Sequence, residues 1–98
     1  MPEATVVLGF DYGLRRIGVA VGQRITHTAS ALAVMRNHES GPDWAACDAL
    51  IKTWRPQALV VGLPLARDGH EQAMTHAARA FAALLRQRYA VPVHLADE

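Results

Sequence analysis

Hydrophobic positions in this chain alternate between short β-branched runs and longer stretches of helical period. Val6, Val7, Leu8 and Phe10 form a first apolar run that ends on Asp11. A turn at Tyr12-Gly13-Leu14 then leads through Arg15 and Arg16 into a second run, Ile17 to Val21. Runs of this length bounded by glycine predict two strands joined by a tight turn. Met1 to Ala4 reads as a lead-in, Gln23 to His27 as a connection, Thr28 to Met35 as a third extended segment and Asn37 to Gly41 as a polar loop. Ser40-Gly41-Pro42-Asp43 has capping-box spacing, and proline suits a first helical turn. Trp44, Cys47, Ile51 and Trp54 recur at helical spacing with Leu50 beside them, and this helix should stop at Arg55, ahead of Pro56.

The second half repeats the theme. Ala58 to Val61 is continuously apolar, as expected of a parallel strand covered on both faces, and it runs into Gly62-Leu63-Pro64 and a loop through Asp68-Gly69. A second helix is predicted from about His70 to about Tyr89, with Ala73, Ala77, Ala80, Phe81 and Leu84 as its apolar stripe. Pro92 introduces a last strand, Val93 to Ala96, and Asp97-Glu98 follows. The order β-β-β-α-β-α-β predicts one α/β domain over residues 1–98, with a mixed sheet containing one antiparallel strand.

Composition narrows the class. With 51% apolar residues the chain suits a packed core rather than disorder. No apolar run is long enough for a membrane span, and the N-terminus has no signal-peptide pattern. A single cysteine, Cys47, excludes an internal disulfide framework, reads as a core residue and fits a cytoplasmic location. The net charge of +1 selects no partner, although nine of the ten basic residues are arginine, the residue suited to phosphate recognition.

The candidate chemistry lies where strands end on acids. In a parallel arrangement the first strand and the last two expose their C-terminal ends at one edge, so Asp11 and the Asp97/Glu98 pair can converge there. Carboxylate clusters bind hard cations such as Mg²⁺ or Mn²⁺, and a pair of such ions supports phosphodiester hydrolysis. The alternative, ordinary surface acids at strand ends, stays open on spacing alone. Arg15 and Arg16 read equally as phosphate contacts or as a solvated turn. Tyr12 reads as packing across the hairpin more than as a base-stacking platform. His27, His38, His70, His76 and His94 have no metal-ligand spacing.

Asp11-Tyr12-Gly13-Leu14-Arg15-Arg16-Ile17-Gly18-Val19-Ala20 resembles the opening signature of the YqgF family. So do Val60-Val61-Gly62-Leu63-Pro64-Leu65 with Asp68-Gly69, and Pro92-Val93 leading to Asp97-Glu98. That family comprises Holliday-junction resolvases and nucleases that mature the 5′ end of small-subunit ribosomal RNA. The resemblance covers essentially the whole chain. It implies a ribonuclease H-like fold with a five-stranded sheet of order 3-2-1-4-5, strand 2 antiparallel, and a C-terminal helix missing from these 98 residues. It also implies a Mg²⁺- or Mn²⁺-dependent nuclease with Asp11, Asp97 and Glu98 as catalytic carboxylates and with Asp11 and Glu98 holding metal; Arg15 and Arg16 stay the candidate nucleic-acid contacts on the reading given above. Family members carry an arginine after the Asp-Glu pair and a further catalytic aspartate on a later helix, and neither is present here. The 98-residue chain is therefore expected to be weakly active or inactive.

The expected substrate is a precursor of 16S ribosomal RNA, with branched DNA as the alternative. Alternatives of another class are a non-catalytic nucleic-acid-binding module and a nucleotide-binding lobe of the actin and sugar-kinase type. Leu14-Arg15-Arg16 argues against the nucleotide lobe, because such proteins place hydroxyl residues there. In the order 3-2-1-4-5 both crossovers run the same way, so right-handedness places both helices on one face. The other face is then bare, and a homodimer that hides it is expected.

Overall fold

Each predicted strand forms, and the sheet grows outward from the first. The structure, a computed structural model, describes residues 5–23, 28–63 and 69–97. Its elements are β1 (Val6–Tyr12), β2 (Arg16–Gln23), β3 (Thr28–His38), β4 (Gly41–Pro42), α1 (Trp44–Trp54), β5 (Ala58–Leu63), α2 (Gly69–Arg88) and β6 (Val93–Asp97). The strands form one sheet in the order β4-β3-β2-β1-β5-β6. Antiparallel pairing joins β1 to β2 and β2 to β3, whereas β1, β5 and β6 pair in parallel. This is the predicted order 3-2-1-4-5 with one addition, the two-residue β4.

The addition has a local cause. β3 continues past Met35 to His38, and Gly41 turns the chain back at φ 128°, where L side chains are rarely found, so that Pro42 pairs with Asn37. The segment read as a loop is therefore partly strand. Helix α1 is capped by Asp43, whose side chain accepts from the Ala46 amide at 3.2 Å, and not by Ser40. It closes at Arg55 in the left-handed region, φ 45°, ahead of Pro56, as predicted.

Strand alternation divides the sheet into two unlike faces. Leu8, Phe10, Ile17, Val19, Leu59, Val61, Leu63 and Val93 are buried beneath both helices. Phe81 of α2 sits at the centre of this layer. Its ring lies 5.6 Å from Phe10, 5.3 Å from Tyr12 and 6.0 Å from Trp44 of α1. The buried stripe of α2 is Ala78, Phe81, Ala82 and Leu85, rotated from the predicted one: Ala73, Ala80 and Leu84 are exposed. On β5 only the helix-side residues are buried, while Ala58, Val60 and Gly62 are half-buried, so the strand is not covered equally on both faces.

Arg88 ties the two helices by a bidentate contact to Asp48, at 2.9 and 2.7 Å, with its guanidinium 4.9 Å from the Trp44 ring centre; the Tyr89 hydroxyl donates to the same carboxylate at 2.6 Å. These hydrogen bonds from Arg88 and then Tyr89 lower the Asp48 pKa from 3.8 to about 2. A depressed folded-state pKa contributes stability above the unfolded value and loses it as pH falls. The advantage of the native chain over Asp48→Asn should therefore be complete above about pH 4 and vanish as pH falls through about 2. Urea midpoints of the two proteins across that range check this. The effect should be small, because the pair is solvent-exposed.

Candidate active site

β1 delivers Asp11 to the open face. Leu8, Phe10 and Tyr12 turn into the helix layer, so Gly9 and Asp11 between them face the other way, and Asp11 is exposed. Register places Asp11 in a row with Gly18 of β2 on one side and Gly62 of β5, then Ala96 of β6, on the other. Small residues at these places leave a trough of about 450 Å³ whose lining includes Asp11, Gly9, Gly18, Ala20, Gly62 and Ala96. A side chain at Gly9 would meet nothing within 4 Å, and one at Gly18 would touch the Asp11 Cβ at 3.7 Å. The carboxylate thus stands beside open space at the C-terminal edge of three parallel strands, a usual place for chemistry in α/β sheets.

The hairpin beside it is held from a third strand. Asn37 of β3 donates from its side chain to the Gly13 carbonyl at 2.8 Å, and its amide donates to the Arg15 carbonyl at 2.9 Å. Gly13 is obligatory for steric reasons: a Cβ there would lie 2.5 Å from the Arg16 carbonyl oxygen. Gly13→Ala is expected to destabilise the fold by about 1–3 kcal/mol, the usual range for overpacking, measured by urea unfolding.

The other expected site residues are placed unequally. Asp97 closes β6 in register with Leu63, one row beyond Asp11, which brings the backbone of both strand ends to the same edge. Glu98 lies outside the described residues, as do the loop through Asp68 and His27. Among the described residues no three His, Cys, Asp or Glu side chains converge as a metal site. Arg15 and Arg16 are exposed at the turn. Tyr12 packs on Phe81 of α2, a contact to the helix layer and not the packing across the hairpin that was expected. Cys47 is fully buried, and burial pushes its thiol pKa up, as suits a core residue. Two residues escaped the sequence reading: Asn37, assigned to a loop, and Arg36, which register places directly opposite Arg16.

Comparison with known proteins decides the family. The sequence model of RuvX, described as Holliday junction resolvase, matches residues 5–98. The chain belongs to the RuvX/YqgF family of nucleases. Among its RuvX relatives, a Coxiella burnetii protein named "Putative pre-16S rRNA nuclease" is 48% identical over the whole of this chain and 70% of its own length. One from Xanthomonas campestris pv. campestris with the same name is 56% identical over 99% of this chain and 62% of its own length. The chain thus spans roughly two thirds of these RuvX relatives. Among solved structures, Thermus thermophilus RuvC in complex with a Holliday junction substrate superposes with a TM-score of 0.64 at 20% identity, over 95% of this chain and 64% of that one. At such identity the likeness shows the fold alone, the mixed, partly antiparallel α/β sheet of the ribonuclease H-like class. Family membership decides against the actin- and sugar-kinase-type lobe.

Proposed function

We propose that this RuvX-family chain carries part of the active site of a divalent-metal-dependent nuclease, and that its reaction is hydrolysis in a 16S ribosomal RNA precursor during 5′-end maturation. The observation that carries the reading is Asp11, an exposed carboxylate on an open floor of small residues, in register with the strand that leads to Asp97 and Glu98. The donor chemistry fits: hard carboxylate oxygen suits Mg²⁺ or Mn²⁺, and Asp11 has no hydrogen-bond or ion-pair partner among the described residues that would compete for it. Asp11 and Glu98 would hold the ion, with Asp97 beside them, and such an ion supplies Lewis acidity and an activated water. Arg15 and Arg16 would bind backbone phosphates and orient the strand against the carboxylates. The names of the relatives favour ribosomal RNA as substrate; that of the family favours a four-way DNA junction as the second reading.

Mg²⁺ titration followed by NMR tests the site, and cleavage of the two substrates in competition tests the reaction. Amide shifts confined to the Asp11 edge and absent from Asp11→Asn are expected. Shifts that persist in Asp11→Asn would remove Asp11 from the site, and preferential cutting of the junction would exchange the substrates.

The open face also has apolar members, Val34 being 66% exposed. We propose that a second copy covers it when nothing else does. Sedimentation should show a concentration-dependent dimer that dissociates when RNA is added; a monomer at high concentration would refute it.

A further inference from the structure

On β2, Arg16 precedes buried Ile17, and on β3, Arg36 follows buried Met35. Alternation therefore turns both arginines to the open face, the face of Asp11, and both are exposed. Register sets them directly opposite one another, Arg16 against Arg36, two positions along from the row that joins Asp11, Gly18 and Val34. Like charges directly opposite on an antiparallel pair are destabilising. Nothing described offsets this, since the one ion pair among the described residues is Arg88 with Asp48, on the other face. Ideal strand spacings put the two Cα atoms about 8 Å and about 12 Å from that of Asp11.

We propose that Arg16 and Arg36 form a phosphate-binding pair, and that the nucleic-acid strand leaves the Asp11 site along the sheet edge over β2 and β3 rather than over β5 and β6. The inference rests on the nuclease reading and adds to it the path of the substrate. The planar guanidinium suits bidentate phosphate contact, and two of them side by side present a concentrated positive field next to the acid. Asn37, adjacent to Arg36, bonds the Gly13 carbonyl and so holds the arginine-bearing turn to the same strand. The pair is rigidly mounted, although Arg16 and Arg36 sit far apart in sequence.

The test is binding without cleavage. Fluorescence anisotropy in EDTA, over a series of salt concentrations, compares the native chain with Asp11→Asn, Arg16→Gln, Arg36→Gln, the double arginine variant and Arg79→Gln, an exposed arginine of α2. The probes are a labelled ribosomal RNA precursor segment and a four-way DNA junction. Arg16→Gln and Arg36→Gln should each weaken binding by about tenfold and lower the salt slope by about one, the sign of a lost phosphate contact. Arg79→Gln should bind as the native chain does. Arg36→Gln should melt at or above the native temperature, because it relieves repulsion, which separates lost binding from lost structure. If the native chain and Asp11→Asn bind while both arginine variants keep native affinity and slope, the pair is overturned and the nuclease reading stands. If neither the native chain nor Asp11→Asn binds either probe, the nuclease reading falls and the pair with it.

Discussion

Asp11→Asn should reduce metal-dependent cleavage by more than about 10²-fold while leaving the fold intact. Even partners that only orient a metal ligand cost about 10–100-fold in affinity or activity when removed, and Asp11 is argued to be a ligand itself. The amide keeps the size of the carboxylate but loses the charge that attracts a divalent ion. Stability should change little, within about 0.5 kcal/mol, as for surface positions without special contacts: Asp11 is exposed, and the Gly18 opposite leaves its Cβ unconfined. Nucleic-acid affinity measured in EDTA should hold or rise, since a negative charge beside phosphate is removed. That combination of lost turnover, unchanged melting and retained binding distinguishes a metal ligand from a residue that shapes the turn. Cleavage by Asp11→Asn within about threefold of the native rate would show that Asp11 does not bind the metal.

Much of the frame was legible in the sequence because its signals are local. Short β-branched runs, the glycine-bounded turn at Gly13 and the proline stop at Pro56 each act within a few residues, and crossover handedness then places both helices on one face. The errors fall where local signals are degenerate. In α2, alanine occurs on several faces, and alanine barely distinguishes a buried face from an exposed one; packing against Phe10 and Trp44 selected Ala78, Phe81, Ala82 and Leu85. Ser40 and Asp43 were both competent caps, and Asp43 prevailed because Gly41 and Pro42 are drawn into pairing with β3. The candidate site divides in the same manner. Asp11 was readable as an acid at a strand end. The part played by Asn37 was not, because its contact to Gly13 spans 24 positions. Nor was the opposition of Arg16 and Arg36, which depends on a register that includes a shift between Val19 and Ala20.

Joining these 98 residues to the remaining part of the Xanthomonas relative should raise cleavage of the ribosomal RNA precursor by about 10²-fold or more over the 98-residue chain. The described carboxylates alone are too few: among the described residues Asp11 is the single acid lining the trough, and no cluster of three metal-binding side chains forms. Ions that act on a phosphodiester must be held in fixed geometry, and misplacement by about 1 Å can cost 10²-fold. The family resemblance assigns a third acid to a later helix, and that relative is 62% spanned by the present chain, so it has length to supply one. The same segment would restrain the edge at which β6 ends and would occupy apolar surface on the open face, so it should also suppress dimer formation. The assay compares both lengths with Mn²⁺, each with and without Asp11→Asn, on the RNA precursor and on the four-way junction, with sedimentation run alongside. A gain in rate that depends on Asp11, together with loss of the dimer, would support a composite site. Equal, Asp11-dependent cleavage by the short and long chains would show that the carboxylates within these 98 residues suffice.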